Sequence, residues 1–159
     1  MRIYLTQHGE ALPKDLDPQR PLSKQGRADV QRLATFLRQS GIRVERVLHS
    51  GKLRAEQTAA LLAETLQTNA PEAQSGLAPA DPVEPLASSL ADAPGDLLIV
   101  GHLPFLGRLV GYLLAADTER PLVDFKPSSM ACLERAPDGH WMLVWMIRPE
   151  LLVAPPANP

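Results

Sequence analysis

The residues of this sequence best suited to chemistry are two histidines and an arginine. His8 and His102 each follow a short apolar run, and Arg54 lies shortly after a third such run, residues 46–49. A neutral imidazole can attack phosphorus and carry the phosphoryl group covalently. A guanidinium offers a planar fork of donors to phosphate oxygens, and a second imidazole adds a hydrogen bond. We therefore expect His8 to act as a nucleophile in phosphoryl transfer if the three side chains meet.

Parallel strands are the elements that would bring these residues together. Residues 2–7 and 46–49 are typical of strands. Residues 96–100 hold the continuous apolar run Leu97-Leu98-Ile99-Val100, which is typical of a strand buried on both faces. Because ligands bind at the carboxyl ends of parallel strands, we expect His8 and His102 to lie at one edge of the sheet.

Helical spacing of apolar residues follows each predicted strand, and a hairpin follows the last helix. The sequence predicts a first helix that begins after an N-cap at Ser23 and stops at Gly41. Further helices are predicted over 52–66, over 83–90 and from a first turn that contains Pro104. Strands are predicted over 129–135 and 140–147, joined by the turn Pro137-Asp138-Gly139. Trp141 and Trp145, four residues apart, are expected to share one face and to pack. The pattern favours a three-layer α/β/α sandwich with a mostly parallel central sheet and a C-terminal antiparallel hairpin. We expect a single domain over 1–153 and a Pro-rich tail over 154–159.

Composition excludes several classes of function. The formal net charge is -2 with no block of like charges, which argues against a nucleic-acid surface. Neither a signal peptide nor a membrane-spanning run is recognisable, so no membrane partner is expected and a cytoplasmic location is predicted. The only cysteine, Cys132, leaves no disulfide framework and is expected to be a small buried hydrophobe.

Four runs of residues follow one another along the chain with polar residues at the predicted strand ends. They are Gln7-His8-Gly9-Glu10-Ala11, Arg20-Pro21-Leu22-Ser23 with Gly26, Ser50-Gly51-Lys52-Leu53-Arg54-Ala55-Glu56-Gln57-Thr58, and Val100-Gly101-His102-Leu103-Pro104. In this order the four runs resemble the signature of the histidine phosphatase superfamily, which includes phosphoglycerate mutase-like proteins. The resemblance spans roughly residues 1–150, and the second half of the third run and the end of the fourth are most similar to SixA-type phosphohistidine phosphatases.

The resemblance implies that His8 accepts the phosphoryl group and that Arg54 and His102 complete the phosphate pocket. It implies no metal and no cofactor. The implied substrate is phosphohistidine in a protein, such as a histidine phosphotransfer domain, and SixA-type members are similar in lacking an obvious acidic donor. Glu10 and Asp81 are the only acids placed near the pocket by sequence, and neither is assigned a general-acid role.

The sequence departs from the family pattern at two positions. Gln7 stands where the family has an arginine before the nucleophile, so a full charge and a bidentate fork are lost and phosphate binding is expected to weaken. Arg20 is a candidate to supply the missing cation. Gly51 stands where proline is common.

Several alternatives stay open at this point. A small-molecule phosphomonoesterase of the same superfamily is one, and a phosphate-binding module with weak turnover because of Gln7 is another. A zinc deaminase is excluded because the chain lacks the required Cys pair. His49 is equally consistent with a site residue and a strand-end residue, and His140 is expected at the surface.

Overall fold

The computed structural model describes residues 1–153, so the predicted tail over 154–159 lies outside the described residues. None of the described helices is both long and apolar enough to span a membrane. The strands are β1 (Arg2–Gln7), β2 (Arg46–His49), β3 (Glu72–Ala73), β4 (Leu97–Gly101), β5 (Met130–Arg135) and β6 (Trp141–Ile147). The helices are α1 (Lys24–Gln39), α2 (Leu53–Leu66), α3 (Glu84–Ser89) and α4 (Phe105–Ala115), with short 3₁₀ turns at Leu90–Asp92 and Pro149–Leu152.

The strands form one mixed sheet in the order β3-β2-β4-β1-β5-β6. Strands β1 to β4 run parallel, whereas β5 is antiparallel to β1 and β6 is antiparallel to β5. Every residue of β4, the central apolar strand, is buried. The predicted mostly parallel sheet with a C-terminal hairpin is therefore confirmed.

Helices cover both faces of this sheet, which gives the three predicted layers. One core cluster joins α1 and α2 to the sheet through residues such as Val30, Leu33, Ala59 and Leu62. The other cluster joins α3 and α4 to the opposite face through Leu86, Phe105, Leu106 and Leu109. The two-sided burial explains why β4 has no polar side chain.

The ends of α1 and α4 explain how the loops next to the sheet edge are held. Ser23 is the N-cap of α1, and its hydroxyl accepts a hydrogen bond from Gly26 N–H at 2.9 Å, as predicted. Gly41 follows the helix end with a φ of +70°, which suits glycine. Pro104 is the N-cap of α4 rather than part of its first turn, because its carbonyl accepts the hydrogen bond from Arg108 N–H.

The prediction that Trp141 and Trp145 share a face is wrong. Trp141 packs against the cluster of α3 and α4, whereas Trp145 packs against the cluster of α1 and α2, 5.9 Å from the Tyr4 ring. The register between β5 and β6 shifts after Cys132, which pairs with Trp145, because Val144 is an extra residue. One extra residue in a strand moves the following side chains to the opposite face.

Gly26, in the first turn of α1, lies tightly against the backbone of Glu10 in the loop after β1. We expect Gly26→Ala to lower the free energy of unfolding by roughly 3 kcal/mol. An added Cβ would lie 2.1 Å from the Glu10 carbonyl oxygen, and backbone cannot move aside cheaply. Gly107→Ala in α4 is the matched control, since its Cβ would meet nothing closer than 3.9 Å. That control should be neutral or stabilising by up to about 1 kcal/mol. Urea unfolding measures both, and equal stabilities of the two variants would contradict the tight packing at Gly26.

Candidate active site

The carboxyl ends of β1 and β4 place His8 and His102 side by side. Gln7 pairs with Gly101 in the parallel register, and the His8 backbone N–H donates to the Gly101 carbonyl at 3.1 Å. The two imidazole rings follow at the same level, with centroids 4.9 Å apart. The expected convergence at one edge of the sheet is thus observed for both histidines.

Arg54 reaches the same point from the first turn of α2. Its Nε–H donates to Nε2 of His8 at 3.2 Å. The helix is held there by Thr58, whose hydroxyl donates to the Arg54 carbonyl at 2.7 Å and accepts from Gly9 N–H at 3.0 Å. Thr58 therefore ties α2 to the residue that follows His8. Thr58 belongs to one of the recognised runs, but sequence reasoning did not identify its contact with Gly9.

The hydrogen bonds of His8 determine which ring nitrogen is free to react. Nδ1 lies 2.7 Å from the Gly9 carbonyl, which can only accept, so Nδ1 carries the proton. Nε2 then has the lone pair, which is consistent with the hydrogen bond that it accepts from Arg54. The arrangement leaves a neutral imidazole with its nucleophilic nitrogen beside a guanidinium.

Burial and positive charge keep both imidazoles neutral. Burial lowers the pKa of His8 to about 4; the hydrogen bond to Gly9 opposes this change, and the charges of Arg54 and Arg20 add to it. Burial also lowers the pKa of His102 to about 3, helped by His8, Arg54, Lys52 and Arg20. Both side chains are consequently uncharged at neutral pH, and the fixed positive charge of the site comes from arginine and lysine.

His102 has a hydroxyl partner that sequence reasoning did not identify. The Oγ atom of Ser50 lies 2.5 Å from Nε2 of His102. Ser50 follows β2, and its Oγ also accepts from the Lys52 backbone N–H at 3.4 Å. The serine belonged to one of the recognised runs, but nothing in its spacing pointed to His102, which lies 52 positions away.

His49 and Gly51 form the turn between β2 and α2. Nδ1 of His49 accepts from Gly51 N–H at 3.1 Å, and His49 is buried. This contact favours the interpretation of His49 as a strand-end residue. Gly51 has a φ of +81°, a value that proline cannot adopt because its ring holds φ near −65°. A chain with proline at this position must therefore take a different path into α2.

Gln7 and Arg20, the two remaining candidates for phosphate binding, differ in their hydrogen bonds. Gln7 is half-buried, and its Oε1 has no hydrogen-bond partner within residues 1–153. Arg20 is half-buried too, has a φ of +52°, and donates from Nε to the Leu12 carbonyl at 3.2 Å. Its charge lowers the pKa of His8, Arg54 and His102, although it is a minor cause for each.

The two candidate acids have structural partners. Glu10 is exposed, and its Oε1 accepts from the Ser23 hydroxyl at 2.6 Å beside the start of α1. Asp81 accepts from the Ala78 N–H at 2.8 Å in a turn before α3. Each carboxylate thus makes a structural hydrogen bond, and neither is assigned a role in proton transfer.

The remaining histidine and the cysteine lie elsewhere. His140 is exposed in the hairpin turn and pairs with Asp138 at 3.0 Å. Cys132 is fully buried in β5, where burial raises the pKa of its thiol to about 11, so the predicted packing role is confirmed.

Comparison with known proteins gives a consistent assignment. Residues 3–81 match the model of the histidine phosphatase superfamily (branch 1). The chain is 29% identical over 155 residues to the phosphohistidine phosphatase SixA of Escherichia coli, covering 94% of each chain. It is 34% identical over 115 residues to an uncharacterised protein of Picosynechococcus sp., covering 68% of this chain and 70% of that protein.

Solved structures agree with these sequence matches. The structure of the protein histidine phosphatase SixA complexed with tungstate superposes with a TM-score of 0.84 at 28% identity, over 96% of this chain and 100% of that one. A structure of an alpha-ribazole-5'-P phosphatase from Escherichia coli superposes with a TM-score of 0.75 at 19% identity, over 94% of this chain and 98% of that one, which concerns the fold alone.

Proposed function

Since the chain belongs to the histidine phosphatase superfamily, we propose that this phosphatase removes the phosphoryl group from phosphohistidine in a protein, through a covalent intermediate on His8. The observation that carries the proposal is the pair of hydrogen bonds on His8. The Gly9 carbonyl keeps the proton on Nδ1, and the Arg54 guanidinium lies at Nε2, where a phosphoryl group would be attacked.

In the first step, the lone pair of His8 Nε2 attacks phosphorus, and the P–N bond to the substrate imidazole breaks. The electron pair of that bond stays with the substrate ring. A substrate ring that already carries a proton on its other nitrogen leaves as neutral imidazole, so the enzyme need not supply an acid. Arg54 stabilises the charge that spreads over the phosphoryl oxygens during transfer.

In the second step, water attacks the phosphorus of phospho-His8 and the P–Nε2 bond breaks. The electron pair returns to Nε2, and His8 departs as neutral imidazole because Nδ1 has held its proton throughout. The hydrogen bond to Gly9 thus serves both steps: it prepares the nucleophile and makes the same ring a good leaving group.

The electrostatics of the pocket favour phosphohistidine over alkyl phosphate esters. An alkoxide leaving group needs a proton from an acid, yet His8 and His102 are neutral at neutral pH, with pKa values of about 4 and 3. Glu10 and Asp81 are engaged by Ser23 and Ala78. Phosphohistidine brings its own proton and does not need such an acid.

A protein-borne substrate is supported by the exposure of the site. Leu103 and Pro104, which directly follow His102, are exposed, so a phosphorylated side chain on another protein can approach the imidazoles. The related SixA of Escherichia coli is a phosphohistidine phosphatase by name, and the solved SixA structure holds tungstate, an oxyanion similar to phosphate.

The test compares turnover of a phosphorylated histidine phosphotransfer domain with turnover of a panel of small phosphate esters. We expect a higher kcat/KM for the phosphoprotein and a transient, acid-labile phosphoenzyme in rapid-quench experiments. A higher kcat/KM for the esters would replace the proposal with a small-molecule phosphomonoesterase. Phosphate binding without any phosphoenzyme would replace it with a binding module.

Gln7→Arg is expected to raise kcat/KM by roughly fivefold, because a charge-assisted hydrogen bond exceeds a neutral one by about 1 kcal/mol. Arg20→Ala should lower kcat/KM by a similar factor in the parent protein, because the charge of Arg20 acts on His8 and His102. In the Gln7→Arg background, the loss caused by Arg20→Ala should be smaller. Equal losses in both backgrounds would show that Arg20 does not compensate for Gln7.

A further inference from the structure

Ser50 and His102 form a hydroxyl–imidazole pair inside the pocket, and neither side chain takes part in the two proposed steps of phosphoryl transfer. The Oγ–Nε2 separation of 2.5 Å is within hydrogen-bond distance. The Lys52 N–H donates to the same Oγ, so the hydroxyl proton of Ser50 is free to point at Nε2. We assign to His102 the tautomer that is protonated on Nδ1, so that its Nε2 accepts with the lone pair.

The attack of water on phospho-His8 needs an acceptor for a water proton, and three other side chains considered for this role each make a structural hydrogen bond. The Thr58 hydroxyl donates to the Arg54 carbonyl and accepts from Gly9 N–H. Glu10 is exposed and bonded to Ser23, and Asp81 is bonded within its own turn. His8 itself carries the phosphoryl group at that stage.

We propose that Ser50 takes up the proton of the attacking water and passes its own hydroxyl proton to Nε2 of His102. The proposal rests on the proposed function and deepens its second step. As the water oxygen forms its bond to phosphorus, the P–Nε2 electron pair returns to His8. One water proton moves to Ser50 Oγ while the hydroxyl proton of Ser50 moves to His102. His102 becomes an imidazolium ion beside the product phosphate, and Ser50 ends unchanged.

The surroundings of His102 return the site to its starting state. When phosphate leaves, the imidazolium is again buried next to His8, Arg54, Lys52 and Arg20, which all oppose its charge. The extra proton therefore departs to solvent, and His102 becomes neutral for the next cycle. Ser50 is half-buried and Lys52 is exposed, so this side of the pocket is within reach of water.

The test measures the two half-reactions separately with a labelled phosphoprotein and rapid quenching. Ser50→Ala should slow the decay of the phosphoenzyme by about 10²-fold, the effect typical of a lost general base, while its formation changes less than about threefold. Phosphoenzyme should therefore accumulate in this variant. Ser50→Thr, which retains a hydroxyl, should restore most of the decay rate. Ser75→Ala, at an exposed serine, is the matched control.

Three outcomes would overturn the proposal, and they differ from one another. Decay at the parent rate in a folded Ser50→Ala protein shows that Ser50 takes no proton. Equal slowing of formation and decay shows that Ser50 only positions His102. The absence of a phosphoenzyme in the parent protein itself removes the proposed function, and the role of Ser50 with it. Thermal unfolding of each variant confirms that the comparison is made on folded protein, and Ser50→Gly, which also lacks the hydroxyl, carries the test if Ser50→Ala unfolds.

Discussion

Replacing His8 with alanine is expected to lower kcat/KM for the phosphoprotein by about 10³-fold or more, because the nucleophile of a covalent mechanism has no substitute in the pocket. His102 is the nearest other imidazole, but its Nε2 faces Ser50. No labelled phosphoenzyme should form in the variant. Rapid-quench labelling and steady-state turnover measure the two effects on the same preparation.

The fold should tolerate this change, since the His8 side chain contacts its own neighbour Gly9 and Arg54 and is only half-buried. The backbone bond from His8 to Gly101 does not depend on the side chain. His140→Ala, at a histidine that is 82% exposed, is the matched control and should keep full activity. Turnover of His8→Ala within about tenfold of the parent would contradict nucleophilic catalysis by His8.

Replacing Arg54 with alanine should lower kcat/KM by roughly 10²- to 10³-fold, the loss typical when one donor to a developing negative charge is removed. The same change removes the hydrogen bond to Nε2 of His8 and a charge that lowers the pKa of both His8 and His102. Those two pKa values should therefore rise toward the ordinary value for histidine. NMR titration of the imidazoles reports this shift independently of turnover.

Arg54→Lys separates charge from geometry. Lysine keeps the positive charge but offers no planar fork, so it should recover only part of the lost kcat/KM. Arg27→Ala, at an exposed arginine of α1, is the matched control for removal of one positive charge. Parental kcat/KM in Arg54→Ala, as expected for the Arg27→Ala control, would place the phosphate site elsewhere.

The convergence of His8, Arg54 and His102 could be predicted because it depends on backbone topology. Parallel strands end at one edge, so residues that directly follow them are neighbours whatever their side chains do. The apolar run that became β4 and the helix cap at Ser23 are local signals of the same kind. Each depends on residues close together in sequence.

The details that determine the proposed chemistry could not be predicted. The proton on His8 Nδ1 depends on the rotation of one ring toward the Gly9 carbonyl, which no pattern of residue types specifies. The contact between Ser50 and His102 joins two loops through side-chain rotamers. The same limit applies to Glu10, which was considered as an acid near the pocket but accepts a hydrogen bond from the capping serine of α1.

The error at Trp141 and Trp145 has a different origin. Alternation along a strand assumes an unbroken register, and β6 contains an extra residue at Val144 opposite the junction of Cys132 and Leu133. A single bulge moves the later side chains of the strand to the opposite face of the sheet. The sequence of β6 contains no glycine that would indicate a bulge.

The hydrogen bond between His8 and the Gly9 carbonyl also determines the regiochemistry of the proposed intermediate. With Nδ1 occupied, the phosphoryl group can only reside on Nε2, which makes the phosphoenzyme the tele isomer of phosphohistidine and not the pros isomer. Immunological detection of the trapped intermediate therefore requires a tele-specific reagent, and a blot with a pros-specific antibody would be blank even for a fully labelled enzyme.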